Sequence, residues 1–591
     1  MVMVLGIMLV GAIILTTLAL STLYNAKRTV VTRVEARAQA SADAGIDLML
    51  SMLAGKKYNQ LTGVCSRSFV VNSDTVTVTT EYRVSRGGTL MTVACPLASD
   101  ITQSLTIYST ATTPSSVAQS GPVTRTVAAT FVPTPPEVTL DKAIFSEGST
   151  VITNNMQIQA SASGLSDAHI YSNGGVDCRT QVNAGGSIYA AQGNVILNDN
   201  CKIGNTVWAS GSITMKSQSL INGDAYAASS ATNWGINLEN STARITGSAL
   251  TNGGIQMIGA RSSDGGGIDG SAFARTGPIR MSNSATIGGS AYAGGYIRLE
   301  DGARIGRDAF STGADLQRQN SGTISGNARA RTTIDPGLAV GGSRTPNVTT
   351  TVPNPPNPAV VFPAPVGYPT NIQAPRREEM PKVYMGAAEV AKWQAAGWAV
   401  ETYNNQCTGT GPSNIISNST VTSPRLILFT GCSSPVSFEN ANVTVKGNIA
   451  LVSTTGFKTQ NNAWFRSSNA AQKRTMYWIV PADAPGVSWN PAANGQTSPS
   501  CSPNRNIDIN TGIGFQSVES MFYTPCQINW SNGLHGGSDK FIGQMYAGLV
   551  NVSTAITLQM LSIPLPSLAS GMASPTDDVK MTNTARFDVL G

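Results

Sequence analysis

Charge is scarce in this chain: only 12% of its 591 residues are Asp, Glu, Lys or Arg, about half the usual share of a globular protein. Histidine is scarcer still, with His169 and His535 far apart, so histidine-based metal sites and catalytic pairs have little material. No long Lys/Arg run exists and the net charge is only +6, which speaks against nucleic acid as a partner. No C-x-x-C spacing occurs, which removes the zinc and thioredoxin-like readings of the cysteines. No proline precedes Pro96, so nothing interrupts a helix near the N-terminus. No L-P-x-T-G signal closes the chain, and attachment to a surface is expected from the N-terminal end.

What is abundant is Gly, Ser, Thr and Asn, and they recur with a period. Ile221-Asn222-Gly223-Asp224-Ala225-Tyr226-Ala227 returns as Ile268-Asp269-Gly270-Ser271-Ala272-Phe273-Ala274 and as Ile287-Gly288-Gly289-Ser290-Ala291-Tyr292-Ala293. Looser copies begin at Ile203, Ile245, Ile305 and Ile324, and these seven anchors lie 18, 24, 23, 19, 18 and 19 residues apart. A near-fixed period of this size predicts a stacked solenoid. Each unit carries a second short alternating run, such as Ile213-Thr214-Met215 or Ile279-Arg280-Met281. Alternation turns Ile, Val and Met inward and Arg, Thr and Gln outward, which describes one rung of a β-helix. One rung cannot bury its apolar row alone, but a stack shares a continuous core. The two long units are read as normal rungs with loops near 229–234 and 262–267. The fold class expected is therefore mainly β: a long N-terminal transmembrane α-helix, a right-handed-type β-solenoid and a second β-rich C-terminal domain.

The eight cysteines form four neighbouring pairs, Cys65/Cys95, Cys178/Cys201, Cys407/Cys432 and Cys501/Cys526, separated by 30, 23, 25 and 25 residues. All eight are disulfide candidates, and an even, evenly distributed set suits an oxidising compartment. The alternative is a set of core thiols in a cytosolic protein.

Val2 to Leu20 is apolar apart from glycine and two threonines, long enough to cross a bilayer as a helix. Lys27, Arg28 and Arg33 follow, and then an amphipathic pattern with Val30, Val34, Ala38, Ala42, Ile46, Leu50 and Leu53 every three or four residues. Together they predict one helix over 2–53. This arrangement, with the phrase Ala42-Asp43-Ala44-Gly45-Ile46-Asp47, resembles the N-terminal helix of type IV pilins, particularly PilX-like minor pilins and pseudopilins. If Met1 follows a processed leader, Leu5 stands where that family carries Glu. The resemblance implies a single-pass anchor in the cell membrane, extracellular β domains and pilin-like subunits as partners. Lys27 and Arg28 alone favour the opposite orientation.

The domains expected are the helix (1–57), a small β spacer (58–138), the solenoid (139–344), a proline-rich linker (345–382) and a C-terminal β domain (383–591) that opens with a helix carrying Trp393. The spacer is to be stapled by Cys65–Cys95 and the last domain by Cys407–Cys432 and Cys501–Cys526. Cys178 and Cys201 are placed near the solenoid's N-terminal end, where the first rung needs a cap. The repeat also resembles the polymer-forming β-helix of bactofilins, which implies an architecture rather than an activity.

Asp224, Asp269 and Asp308 recur at or near one position of the repeat and alternate with Ser248, Ser271 and Ser290. Such a row could bind Ca²⁺ or sugar, but Asp and Ser do the same hydrogen-bonding work in turns, and the structural role is favoured. Residues 263–269 resemble a calcium-binding nonapeptide out of register. Tyr189, Trp208, Tyr226, Phe273, Tyr292 and Phe310 recur once per rung; an exposed row would grip glycans, while a packed edge stack is favoured. Trp393 and Trp398 are expected to anchor their helix. No catalytic, cofactor-binding or metal residue is singled out. The function expected is a non-enzymatic structural or adhesive cell-surface protein, a minor or tip component of a type IV pilus-like system, with surface glycans or host surfaces as further partners. A membrane-anchored bactofilin-like scaffold and a glycan-active β-helix enzyme are the rivals.

Overall fold

The computed structural model describes residues 2–54, 56, 58–86, 89–97, 100–114, 122–133, 140–160, 168–230, 234–260, 266–349, 372–492, 496–535, 540–565, 579 and 581–589. The chain divides into two compact units, residues 1–138 with 568–591, and residues 139–567.

The first unit is built on α1 (Val2–Leu53), the continuous helix the apolar pattern predicts. It is long and apolar enough to cross a membrane, and its most apolar window is wholly unburied. Ile7, Leu15, Leu18, Leu23 and Tyr24 are exposed, whereas Ala38, Ala42, Ile46, Met49 and Leu53 are fully or almost fully buried. The buried half lies on an antiparallel sheet of β1 (Ser66–Val71), β2 (Asp74–Arg86), β3 (Thr89–Val93), β4 (Ile101–Thr113) and β5 (Val123–Pro133). Period-2 alternation turns Val76, Val78, Leu105, Ile107, Val127 and Ala129 toward the helix. Gly45 sits at the crossing, where a Cβ would come within 2.3 Å of Ser109 Oγ and 2.6 Å of Val76. Arg37 and Ser41 of α1 meet the buried Asp74 carboxylate at 2.9 and 2.7 Å.

The sheet has one more strand, Met581–Val589, which pairs antiparallel with β5 from Met581 opposite Pro133 to Val589 opposite Thr126. Arg586 on this strand holds Asp43 of α1 at 2.7 Å. The strand corrects the expected C-terminal domain, 383–591, whose end belongs to the N-terminal sheet. Residues 134–580 are thus inserted between two neighbouring strands.

The second unit is a single parallel stack. From Ile144 to Thr345 each rung contributes three short strands that pair in register with the rungs before and after, as in Ala272↔Ala291↔Ala309 and Ile279↔Ile297↔Leu316. Asn200, Gln218, Asn283, Asp301 and Asn320 turn one corner at positive φ, a conformation that Asn and Asp tolerate better than most residues. The extra residues near 229–234 and 262–267 lie largely outside the described set; Trp234 and Gly267 begin strands of the stack.

The region after the proline-rich segment was expected to stand apart as a distal domain. Instead its strands continue the same stack. Met545, Tyr546 and Ala547 pair with Ile144, Phe145 and Ser146, Val550 pairs with Thr150, and Ile556–Gln559 pair with Met156–Gln159. These wider rungs cover the first narrow rung, so the cap assigned to Cys178 and Cys201 is supplied by residues 541–560. An exposed apolar end must be covered, and the chain covers it with its own later segment. Of the expected linker 345–382, residues 350–371 lie outside the described residues. Residues 372–383 run along the face of the stack.

Candidate functional site

At one corner of the narrow stack, a side-chain oxygen of each rung accepts the backbone N–H of the next. Asp224 Oδ1 accepts from Ser248 at 2.7 Å, Ser248 Oγ from Ser271 and Ser271 Oγ from Ser290 at 3.1 Å, Ser290 Oγ from Asp308 at 3.3 Å, and Asp308 Oδ1 from Asn327 at 2.7 Å. The ladder explains the Gly that precedes Asp224, Ser248, Ser271, Ser290 and Asn327, whereas Arg307 precedes Asp308. A Cβ on Gly289 would meet Ser271 Oγ at 2.5 Å and Gly270 O at 2.6 Å. Gly289→Ala is expected to cost about 1–3 kcal/mol through overpacking, read as a lower urea midpoint of the stack. Asp224 and Asp308 thus spend carboxylate oxygens on backbone donors, the turn role favoured for them. Asp269 is not in the ladder and pairs with Arg244 at 2.7 Å.

The recurrent aromatics form one column, extended by the cap: Tyr523, Tyr546, Phe145, Tyr171, Tyr189, Trp208, then Tyr226, Leu250, Phe273, Tyr292 and Phe310 follow one another in register. Segment 372–383 covers its upper part. Trp208 Nε1 donates to Gln373 O at 2.7 Å, Tyr523 Oη donates to Pro381 O at 2.6 Å, and Asn252 exchanges two hydrogen bonds with Ile372 at 2.8 and 2.9 Å. Ile372 packs on Trp208, Tyr226 and Leu250. Burial pushes the Tyr171, Tyr226 and Tyr523 hydroxyls well above their ordinary range. Lower down, Phe273, Tyr292 and Phe310 stack nearly parallel at 4.8 and 4.9 Å, and Arg329 lies 5.5 Å over the Phe310 ring. These three rings spend their faces on one another and on Arg329, whereas Tyr189, Trp208 and Tyr226 meet edge to face, with interplanar angles of 63° and 60°. The column is thus a packed stack over most of its length.

Three cysteine pairs are bridged, Cys65–Cys95, Cys407–Cys432 and Cys501–Cys526, with Cα–Cα distances of 5.4, 5.9 and 5.7 Å. Cys178 and Cys201 are not: both are buried thiols. They sit inside the core row, Cys178 opposite Leu197, where each sulfur replaces an aliphatic side chain and the backbone ladder already fixes the rungs. A hydrogen bond to Cys201 and burial push the Cys178 thiol well above its ordinary value. His169 Nδ1 accepts from the Ser187 amide at 3.0 Å, and His535 stacks on Trp464 at 4.8 Å. Trp393 is fully buried against Trp398 and Tyr477, at 4.6 and 5.7 Å. Among the described residues no group of three or more His, Cys, Asp or Glu could hold a metal ion.

A cavity of ligand-binding dimensions lies outside the expected sites. It is an open cleft of about 340 Å³ on the flank of the cap, within the range of small-molecule sites. One wall is Ser498, Pro499 and Cys501, from the hairpin formed by Val487–Pro491 and Thr497–Cys501. The lining continues with Asn504 and Asn506, with Pro525, Cys526 and Gln527, and with Glu147, Gly148, Gly548 and Leu549. Glu147 is buried, accepts from Asn173 at 2.7 Å and is paired with the buried Arg377. Burial pushes its carboxyl up, opposed by Asn173 and Arg377. Arg377 is fully engaged, also donating to Gln496 at 2.6 Å and to Thr497 O at 2.9 Å.

No protein-family model matches the chain, and no curated protein does. Among solved structures it is similar to the tapirin C-terminal domain of Caldicellulosiruptor kristjanssonii, with 14% identity and a TM-score of 0.25, over 72% of this chain and 95% of that one. It is also similar to the competence-associated pilin ComZ of Thermus thermophilus, with 11% identity and a TM-score of 0.21, over 94% of this chain and 98% of that one. Likeness at this level carries no argument about fold or function.

Proposed function

We propose that this chain is a non-enzymatic cell-surface protein with a structural and adhesive role, held by α1 as a minor or tip subunit of a type IV pilus-like filament. The observation that carries the reading is the division of α1. Its first half leaves Ile7 to Tyr24 bare, while its second half is buried on an antiparallel sheet. A helix that exposes a run of large apolar side chains requires a lipid or protein environment. Packing of the second half fixes the direction in which the bare half projects from its own sheet.

One end of the narrow stack argues against the rival that polymerises end to end. The first rung is covered by residues 541–560. At the other end, Arg344 donates to the carbonyls of Asp335 at 3.2 Å and Pro336 at 3.3 Å, and also to Leu338 O. Among the described residues the strands of this last rung, Ala339–Val340 and Arg344–Thr345, pair only with the rung before. Deletion of residues 1–25 tests the reading. The shortened protein is expected in the soluble fraction and absent from sheared filaments, with its disulfides intact; retention in membrane or filament fractions would overturn it.

A further inference from the structure

We propose that the cavity on the flank of the cap binds a neutral saccharide unit. Its chemistry narrows the ligand class by exclusion. No Lys, Arg or His lines it, and the nearest buried cation, Arg377, is neutralised by Glu147 and held by Gln496 and Thr497. An anionic ligand would lose its hydration without gaining a counter-charge, at large cost. A cation would meet only Glu147, whose carboxylate is already committed to Arg377 and Asn173. A purely apolar ligand would bury the amides of Asn504, Asn506 and Gln527 against carbon, leaving their polar atoms without water.

What remains is a neutral molecule rich in hydroxyls. The amides of the lining offer both donors and acceptors, and a sugar hydroxyl is both at once. Two amides are open to such a partner: Asn504 is exposed and Gln527 half-buried, and each can both donate to and accept from a hydroxyl. Leu549 at the lip is 44% exposed, and with Pro499 and Pro525 it offers an apolar surface to the C–H face of a pyranose. The walls are also fixed in advance. Cys501 and Cys526 are bonded to each other, which ties two lining segments together and lowers the ordering cost of binding. The volume suits a terminal sugar or a short segment rather than a long chain lying in a groove. Among the described residues no aromatic ring lines the cavity, so the site is expected to bind in the millimolar range.

This inference supplies a ligand for the adhesive role proposed above and so rests on that reading for its purpose. The binding itself is measured on the isolated chain, so its failure is distinct from failure of filament association. The full-length protein, in a detergent without a sugar headgroup, is titrated with the methyl glycosides of glucose, galactose, mannose and N-acetylglucosamine. N-acetylneuraminic acid serves as the anionic comparison, and contact is followed by saturation-transfer NMR. Transfer to at least one neutral glycoside is expected. It should weaken roughly tenfold or more in N506A and in Q527A, with the thermal midpoint unchanged. A third variant, N504A, at an exposed position, covers the case in which N506A disturbs folding. Silence from all four glycosides at millimolar concentration, binding that survives all three substitutions, or a preference for the acid would each overturn the proposal.

Discussion

Trp478→Ala is expected to lower the stability of the stack by about 3–5 kcal/mol, seen as a drop in the urea midpoint of its unfolding transition. Trp478 is fully buried, and its ring lies 5.1 to 5.4 Å from those of Phe438, Phe457, Phe465 and Phe522. These rings belong to successive wide rungs, with Leu451, Trp478 and Phe522 in one register column. The wide rungs need such a filler because their strands reach 10 to 13 residues, against two to five in the narrow stack. Their interior is too broad for Ile, Val and Ala alone. The indole N–H of Trp478 has no hydrogen-bond partner among the described residues. Trp478→Phe is therefore expected to cost much less than the alanine change, since it removes an unsatisfied donor along with some volume. A loss as large for Phe as for Ala would contradict this account.

The second large effect is expected at the outermost wide rung. Arg425 is buried, 2% exposed, and its guanidinium grips Glu401 in two bonds of 2.8 and 2.6 Å, with a third to Ile415 O at 3.2 Å. Tyr403 Oη donates to the same carboxylate at 2.8 Å. Glu401→Ala leaves the guanidinium buried without its counter-charge, for which a loss of about 3–5 kcal/mol is expected. The hydrogen bond from Arg425 holds the Glu401 carboxyl below its ordinary value, against the opposing effect of burial. The sign of the pH dependence follows. The contribution of this pair is complete above the unfolded value of about 4.3 and is lost as pH falls through the lower folded value. Thermal melts of wild type and Glu401→Ala should therefore converge on acidification. Because the rung is terminal, its loss should open the end of the stack before the middle, and hydrogen exchange should rise first in 399–404 and 425–430.

The repeat could be read from the sequence because each rung repeats its own chemistry. Gly289-Ser290 and Gly270-Ser271 are demanded by a hydrogen-bond ladder that leaves no room for Cβ, and Asn283 or Asp301 by a left-handed corner. Such local needs recur at a fixed spacing and are visible without the fold. The helix was equally plain, since its two halves differ in composition. The insertion was not. Met581–Val589 shows its apolar Phe587 and Val589 to solvent, 50% and 37% exposed, while Arg586 pairs with Asp43 and Asp588 accepts from Gln39 on the helix side. A strand with that polarity carries no clear signal, and its partner β5 lies more than four hundred residues earlier in the chain. The cap escaped for a related reason. Its rungs are interrupted by register shifts at Glu439/Ala441 and Thr524/Gln527 and by the hairpin 487–501, so no single period survives. The cavity draws on four separate segments, around 147, 498–506, 525–527 and 548. None of them is distinctive alone.

The return of the last strand to β5 also decides how the molecule bears a load. The inserted stack leaves the sheet at Pro133 and rejoins it at Met581, which face each other across one ladder. A pull on anything the stack holds therefore draws β5 and its neighbour together, in the same direction. The pair is tied to the rest of the sheet along β4, through nine consecutive partners from Leu105↔Phe131 to Thr113↔Val123. Those hydrogen bonds run perpendicular to the strands, so a pull along the strands would load them together, in shear, rather than open them one at a time. A tethered subunit with this connection would resist being torn out of its own sheet.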